Sequence, residues 1–284
     1  MTCAWKELLA VLPMWMRNEI DQLGAEQMRE LRLRINSPPE LVFPDKSIWL
    51  ERCVSQEDIQ YTVNAASRYS PWAAASVAEG YICITGGHRI GLCGDAVVQQ
   101  GSITGLKNIS SLCIRVARDF KGIAAKAAQI TGSLLILGPP GWGKTTLLRD
   151  LIRQKEMSER ICVVDERREL FPEGLSREKR LDVLSGCSKQ NGISMALRSM
   201  GPSCIAVDEI TDSEDCDALI QAANCGVNLL ATAHAASVSD LLKRKVYSPL
   251  VENHIFDVFL VLNRENHYTV ERTMQWITNG SVHY

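Results

Sequence analysis

The chain has 284 residues, 46% hydrophobic and 23% charged, with a formal net charge of −2. That length and composition suit one large or two modest globular domains. The near-neutral balance excludes whole-chain attraction to nucleic acid or anionic lipid, and no apolar run reaches the roughly 18 residues of a membrane helix.

The opening MTCAWKELLAVLPMWMRNEI lacks a basic start and a continuous apolar centre, so no signal peptide is expected. The ten cysteines form no CxxC pair, which argues against a zinc or redox centre and for a reducing, cytoplasmic setting. Residues 5 to 35 read as helical, ending before Ser37-Pro38-Pro39. The basic clusters Arg29, Arg32, Arg34 and Lys243, Arg244, Lys245 read as solvated helix faces. Ser55 and Asp58 form a capping box that opens a helix toward Tyr69, and Pro71 starts a short helix stopped by Gly80. The runs YICIT, HRIGLC, DAVVQ and SLCIRVAR, broken by glycines, read as short strands in hairpins. Residues 1–119 therefore read as a small α+β domain.

From about residue 120 the pattern changes, and residues 120–284 read as a second domain. GIAAKAAQ is a connecting helix, and SLLILG, ICVVDE, CIAVDE, NLLATA and DVFLVL are apolar strands separated by helical stretches. Continuous apolar runs of this kind predict a mostly parallel sheet covered on both faces, an α/β class. Thr211 with Glu214 and Ser237 with Asp240 are the expected caps of two intervening helices, with Gly226 ending the first.

LGPPGWGKTT, residues 137 to 146, lies between a predicted strand and helix, the context that a phosphate loop demands. Gly138, Gly141 and Gly143 let the backbone turn its N–H groups inward, Pro139 and Pro140 stiffen the entry, and Thr146 continues into the helix. Lys144 supplies a point charge to the β- and γ-phosphates, and Thr145 offers its hydroxyl to Mg²⁺. Trp142 is unusual at its position; it packs on a neighbouring subunit or is a partly exposed ring. CIAVDE ends in two carboxylates: Asp208 is expected to hold Mg²⁺ through water and Glu209 to polarise the attacking water. His234 follows another buried strand, where a polar group can sense the γ-phosphate. VVDERREL puts Asp165 and Glu166 at a third strand end, either ordering water or pairing with an arginine; a salt-bridged strand terminus is an equal reading.

GPPGWGKTT, VVDERREL, DVLSGCSKQNGISMALRSMGPSCIAVDEI, LLATAHA, GGHRIGLCGDAV and SSLCIRVAR together resemble the stage III sporulation AA family. That family is related to the ATPases that power type II and type IV secretion and pilus machines. The resemblance implies a RecA-like ATPase core behind a small N-terminal domain, working with ATP and Mg²⁺ as a homo-hexamer. It makes VVDERREL an acidic box and ATAHA a histidine box, and it adds Arg198 to the site. It also implies arginines that reach a nucleotide across a subunit boundary, for which Arg89, Arg115 and Arg118 are the candidates; guanidinium neutralises phosphate charge by bidentate contact. Arg168 departs from the pattern, because a small polar residue is expected there. The four-cysteine zinc module of larger secretion ATPases is absent from this sequence. The implied role is a cytoplasmic motor, held at a membrane through an integral-membrane partner of a channel between mother cell and forespore. A nucleic-acid-dependent RecA-like motor and a non-hydrolysing nucleotide switch remain as alternatives, the first disfavoured by the charge balance and the lack of aromatic-basic stretches.

Overall fold

The computed structural model describes residues 3–23, 27–67, 80–99, 101–172, 180–263 and 267–273. Two compact units make up the chain: Met1–Asp119 with Pro172–Leu175, and Phe120–Phe171 with Ser176–Tyr284.

The first unit carries helices α1 (Trp5–Ala10), α2 (Met14–Leu23) and α3 (Gln56–Ala66). Its strands are β1 (Glu30–Arg34), β2 (Glu40–Val42), β3 (Ser47–Trp49), β4 (Tyr81–Cys83), β5 (Arg89–Gln99) and β6 (Ser102–Arg115). They form an antiparallel sheet in the order β3-β2-β1-β6-β5-β4. The helical reading of residues 5 to 35 fails at its end. ELRLR alternates with period two, burying Leu31 and Leu33 while Glu30, Arg32 and Arg34 take the other face, so it is a strand and not a basic helix face. Leu31, Leu33, Ile90 and Ile114 pack with Leu8, Met16, Ile20 and Ile59 of the helices in one core. The capping box forms as read: Ser55 Oγ accepts from Asp58 N–H and Asp58 accepts from Ser55 N–H. Tyr69 and the helix expected from Pro71 lie outside the described residues.

HRIGLC and DAVVQ are one strand, not two. Its register shifts beside Gly94, where a Cβ would lie 2.6 Å from the Lys107 carbonyl oxygen. That glycine permits close approach of two strands and breaks neither.

His88 is fully buried. Its Nε2–H donates to the Ala4 carbonyl (2.8 Å), and its Nδ1 accepts from Ala117 N–H (3.0 Å), pinning the first segment to the stretch after β6. Burial, partly opposed by the bond to Ala4, holds its pKa below the usual 6.5. Over the window between the folded value and about 6.5, the unfolded chain binds the extra proton, so stability rises with pH. His88's contribution is complete above about 6.5 and is lost as pH falls through the folded value, at up to about 1.4 kcal/mol per pH unit. Thermal melts over this range should show Tm falling more steeply for the native chain than for His88→Gln; equal slopes would contradict this.

The second unit has α4 (Ala125–Ala128), β7 (Leu134–Leu137), α5 (Lys144–Lys155), β8 (Ile161–Asp165), β9 (Leu181–Ser185), α6 (Lys189–Ser199) and β10 (Cys204–Glu209). It continues with α7 (Ser213–Asn224), β11 (Asn228–Ala233), α8 (Val238–Leu242), α9 (Ser248–Glu252), β12 (Val258–Leu262) and β13 (Tyr268–Arg272). The sheet order is β13-β12-β7-β11-β10-β8-β9, parallel throughout except for the antiparallel edge strand β13. The α/β class and the mostly parallel sheet are as read from the sequence. Both faces are covered: Leu135 and Leu137 enter one apolar core with α6 and α7, while Leu134 and Ile136 enter another with α5. The connecting helix shrinks to one turn, Ala125–Ala128, anchored where Asp150 accepts from Gly122 N–H and Ala124 N–H. The cap of α7 is Asp212, accepting from Asp215 N–H, one residue beyond the expected Thr211. Ser237 caps α8 as expected. No helix among the described residues is long and apolar enough to cross a membrane.

Candidate functional site

Strands β7, β11, β10 and β8 are parallel neighbours, so their carboxyl ends share one edge of the sheet, where open α/β sheets bind ligands. The glycine-rich loop follows β7, Asp208 and Glu209 end β10, His234 follows β11 and Glu166 follows β8. Strand β11, which leads to His234, stands between β7 and β10.

Gly141 and Gly143 hold φ at +77° and +88°, a region costly for other residues. Gly143 is the N-cap of α5 and supplies no side-chain cap, so the first-turn N–H groups remain for an anion. Gly138 is packed closely enough that a Cβ would lie 3.2 Å from Leu262 Cβ. Pro140 is exposed at the loop tip and Thr146 half-buried at the start of α5. Trp142 is half-buried against the α5-side core of its own unit.

Lys144 is buried and donates to the Pro139 carbonyl (3.2 Å) and to His234 Nδ1 (2.7 Å). With Nδ1 accepting, Nε2 carries the ring proton, and it lies 2.7 Å from Glu209 Oε1. Lysine, imidazole and carboxylate thus form one chain. Burial lowers the pKa of Lys144 against the pull of Glu209 and Asp208. Thr145 Oγ1 donates to Asp208 Oδ1 at 3.1 Å. The β10–β11 register shifts between Ala206 and Glu209, an irregularity at which adjacent Asp208 and Glu209 serve different partners, Thr145 and His234. Burial, with Glu169, Asp165 and Glu209 nearby, pushes Asp208 up to about 7, and the Thr145 bond opposes this.

The two acidic residues after β8 separate in role. Asp165 is fully buried, and its carboxylate accepts from Glu169 N–H and Phe171 N–H, both at 2.8 Å. Those bonds shape the DERREL turn, so Asp165 is not available to order water. Asp165→Ala should cost about 2–4 kcal/mol, since two charge-assisted bonds to backbone are lost; denaturant unfolding checks this, and a change below 0.5 kcal/mol would contradict it. The same turn places Arg168 at φ +57°, which explains why a small polar residue is expected there. Glu166 lines a pocket with Val164, Arg167, Lys189, Asp208 and Glu209. Its partner is Lys189, at 2.7 Å, rather than an arginine.

Arg198 is exposed near the end of α6, bonded to Ser194. Because α6 runs from the carboxyl end of β9 to the start of β10, it leaves Arg198 at the opposite sheet edge from Asp208. This placement takes Arg198 out of its own chain's pocket. In the first unit, Arg89 and Arg115 are cross-strand partners. Arg89 lies over the Tyr81 ring (3.8 Å to the centroid), and Arg115 lies 3.8 Å from Glu30 with a side chain 70% exposed. Arg118 donates to the Met28 carbonyl (2.7 Å), and burial lowers its pKa.

Lys189 and Arg167 were not singled out by the sequence. The available signal was weak: a lysine right after a serine cap, in SKQNG. Among the described residues, no group of three or more His, Cys, Asp or Glu could hold a metal ion.

The fold is that of the ATPase DotB and the pilus retraction motor PilT. The chain superposes on the Legionella pneumophila ATPase DotB with a TM-score of 0.61 at 16% identity, covering 92% of this chain and 80% of that one. It superposes on the pilus retraction motor PilT, solved with bound ADP, with a TM-score of 0.60 at 15% identity, covering 89% and 80%. Residues 6–276 match the family Sporulation stage III, protein AA, and the chain belongs to that family. It is 37% identical over 278 residues to stage III sporulation protein AA of Bacillus subtilis (strain 168), covering 91% of each.

Proposed function

We propose that this chain is a Mg²⁺-dependent ATP-hydrolysing motor acting in sporulation. The observation that carries the reading is the meeting of Lys144, Thr145, Asp208, Glu209 and His234 at one sheet edge, beside an uncapped helix N-terminus. Backbone N–H groups of residues 141–146 cradle the phosphates, with Lys144 against the β- and γ-oxygens. Thr145 and Asp208 are neighbouring oxygen donors of the kind a hard cation takes, with its remaining positions left to phosphate and water. Mg²⁺, when bound there, offsets the phosphate charge. Glu209 accepts the proton of the attacking water. His234 links Lys144 to Glu209, so a γ-phosphate that draws Lys144 away alters the ring holding Glu209; this gives His234 a sensing role. Glu166 orders water at the rim.

Resemblance to secretion ATPases supports a homo-hexamer in which Arg115, the most exposed candidate, or Arg89 or Arg118 of a neighbouring chain, completes phosphate neutralisation. The motor then acts on an integral-membrane partner of a sporulation channel. The test is phosphate release per chain against chain concentration. Specific activity that rises with concentration supports assembly; a flat profile contradicts neighbours completing the site.

A further inference from the structure

Lys189 is a buried ammonium outside the phosphate loop, and nothing in the mechanism above uses it. Its Nζ lies 2.7 Å from Glu166 Oε2 and 3.0 Å from Asp215 Oδ2. The two carboxylates belong to different segments. Glu166 follows β8. Asp215 accepts from the backbone N–H and the hydroxyl of Thr211, two residues beyond Glu209. One cation therefore ties the acidic turn to the stretch that continues from Glu209.

The position of Lys189 is built into α6. Ser188 caps the helix, and Lys189 is its first residue. Gly192, one turn on, lets the helix press against β8: a Cβ there would lie 2.4 Å from Val164 Cγ1. Val164 stands two residues before Glu166, so a missing side chain brings the ammonium within reach of the carboxylate. Burial alone would lower the pKa of Lys189, but its bonds to Glu166 and Asp215 raise it, so the cation is kept. Lys189 and Glu166 both line the pocket with Asp208 and Glu209.

We infer that Lys189 is a positioning residue: it fixes the Glu166 carboxylate at the rim of the Asp208–Glu209 pocket and holds that rim in register with the segment after Glu209. The inference rests on the ATPase reading. An unheld Glu166 would face Asp215 with no intervening cation, and like charges would push it from its place. Water ordering depends on such placement, whereas ATP affinity depends on the phosphate loop.

The test is steady-state ATP hydrolysis by the full chain and by Lys189→Met, Lys189→Arg, Glu166→Gln and the Lys189→Met/Glu166→Gln double variant, with binding of a fluorescent ATP analogue measured on each. Lys189→Met should lower kcat about 10- to 100-fold, the scale of a small misplacement, with KM and analogue binding nearly unchanged. Lys189→Arg should restore most of the rate. In the Glu166→Gln background the lysine change should cost much less, because the group it positions is gone. Native kcat in Lys189→Met overturns the inference, as does an equal loss in both backgrounds. If Lys189→Met fails to fold, Glu166→Gln decides: native kcat there leaves Lys189 nothing to position and overturns the inference, and a lowered kcat at unchanged KM supports it. A native chain without turnover overturns the ATPase reading itself, and this inference with it.

Discussion

Glu209→Gln should lower ATP turnover about 100- to 10,000-fold, the range for loss of a general base, while ATP binding survives. The amide keeps the shape of the carboxylate and can still meet His234 Nε2, 2.7 Å away in the native chain. It cannot take a proton from water. The phosphate loop is untouched, so the variant should trap ATP unhydrolysed. Phosphate release and analogue binding measured on one preparation separate the two effects. Turnover within threefold of the native chain would remove Glu209 from the mechanism.

Lys144→Ala should act one step earlier. The ammonium is buried beside the Pro139 carbonyl and His234, and among the described residues it makes no ion pair with a carboxylate. Losing charge-assisted bonds of about 3 kcal/mol to the phosphates corresponds to roughly 100-fold weaker ATP binding. Thermal stability should change little, because a buried cation costs desolvation as well as contributing bonds. Titration of each chain with ATP measures the affinity. Binding within threefold of native would place the phosphates elsewhere.

The parts legible in the sequence were those with short-range causes. SLLILG, ICVVDE, CIAVDE, NLLATA and DVFLVL sit in a sheet covered on both faces, and continuous apolarity follows directly from that. Gly141, Gly143 and the caps Ser55 and Ser237 act within three or four residues of themselves. Strand ends reach a common edge in any parallel sheet, so the meeting of Lys144, Asp208, Glu209 and His234 could be anticipated. What escaped depends on distant contacts. ELRLR was absorbed into a helix although it alternates with period two; of its two partners, β2 is near in sequence and β6 some eighty residues away. LDVLS, which is β9, is a partly exposed edge strand with a weak apolar signal. Asp165 looks like a catalytic carboxylate until its two backbone donors are seen. Lys189 is visible only through Gly192 and Val164. Arg198 was added to the site by the family resemblance, although its helix ends at the other edge.

The most direct test of the central claim is phosphate release from ATP by the purified full chain, with and without Mg²⁺, beside Glu209→Gln at equal concentration. The account predicts turnover that requires Mg²⁺ and is lost in the variant. Turnover that is independent of Mg²⁺, or equal in the variant, would contradict it.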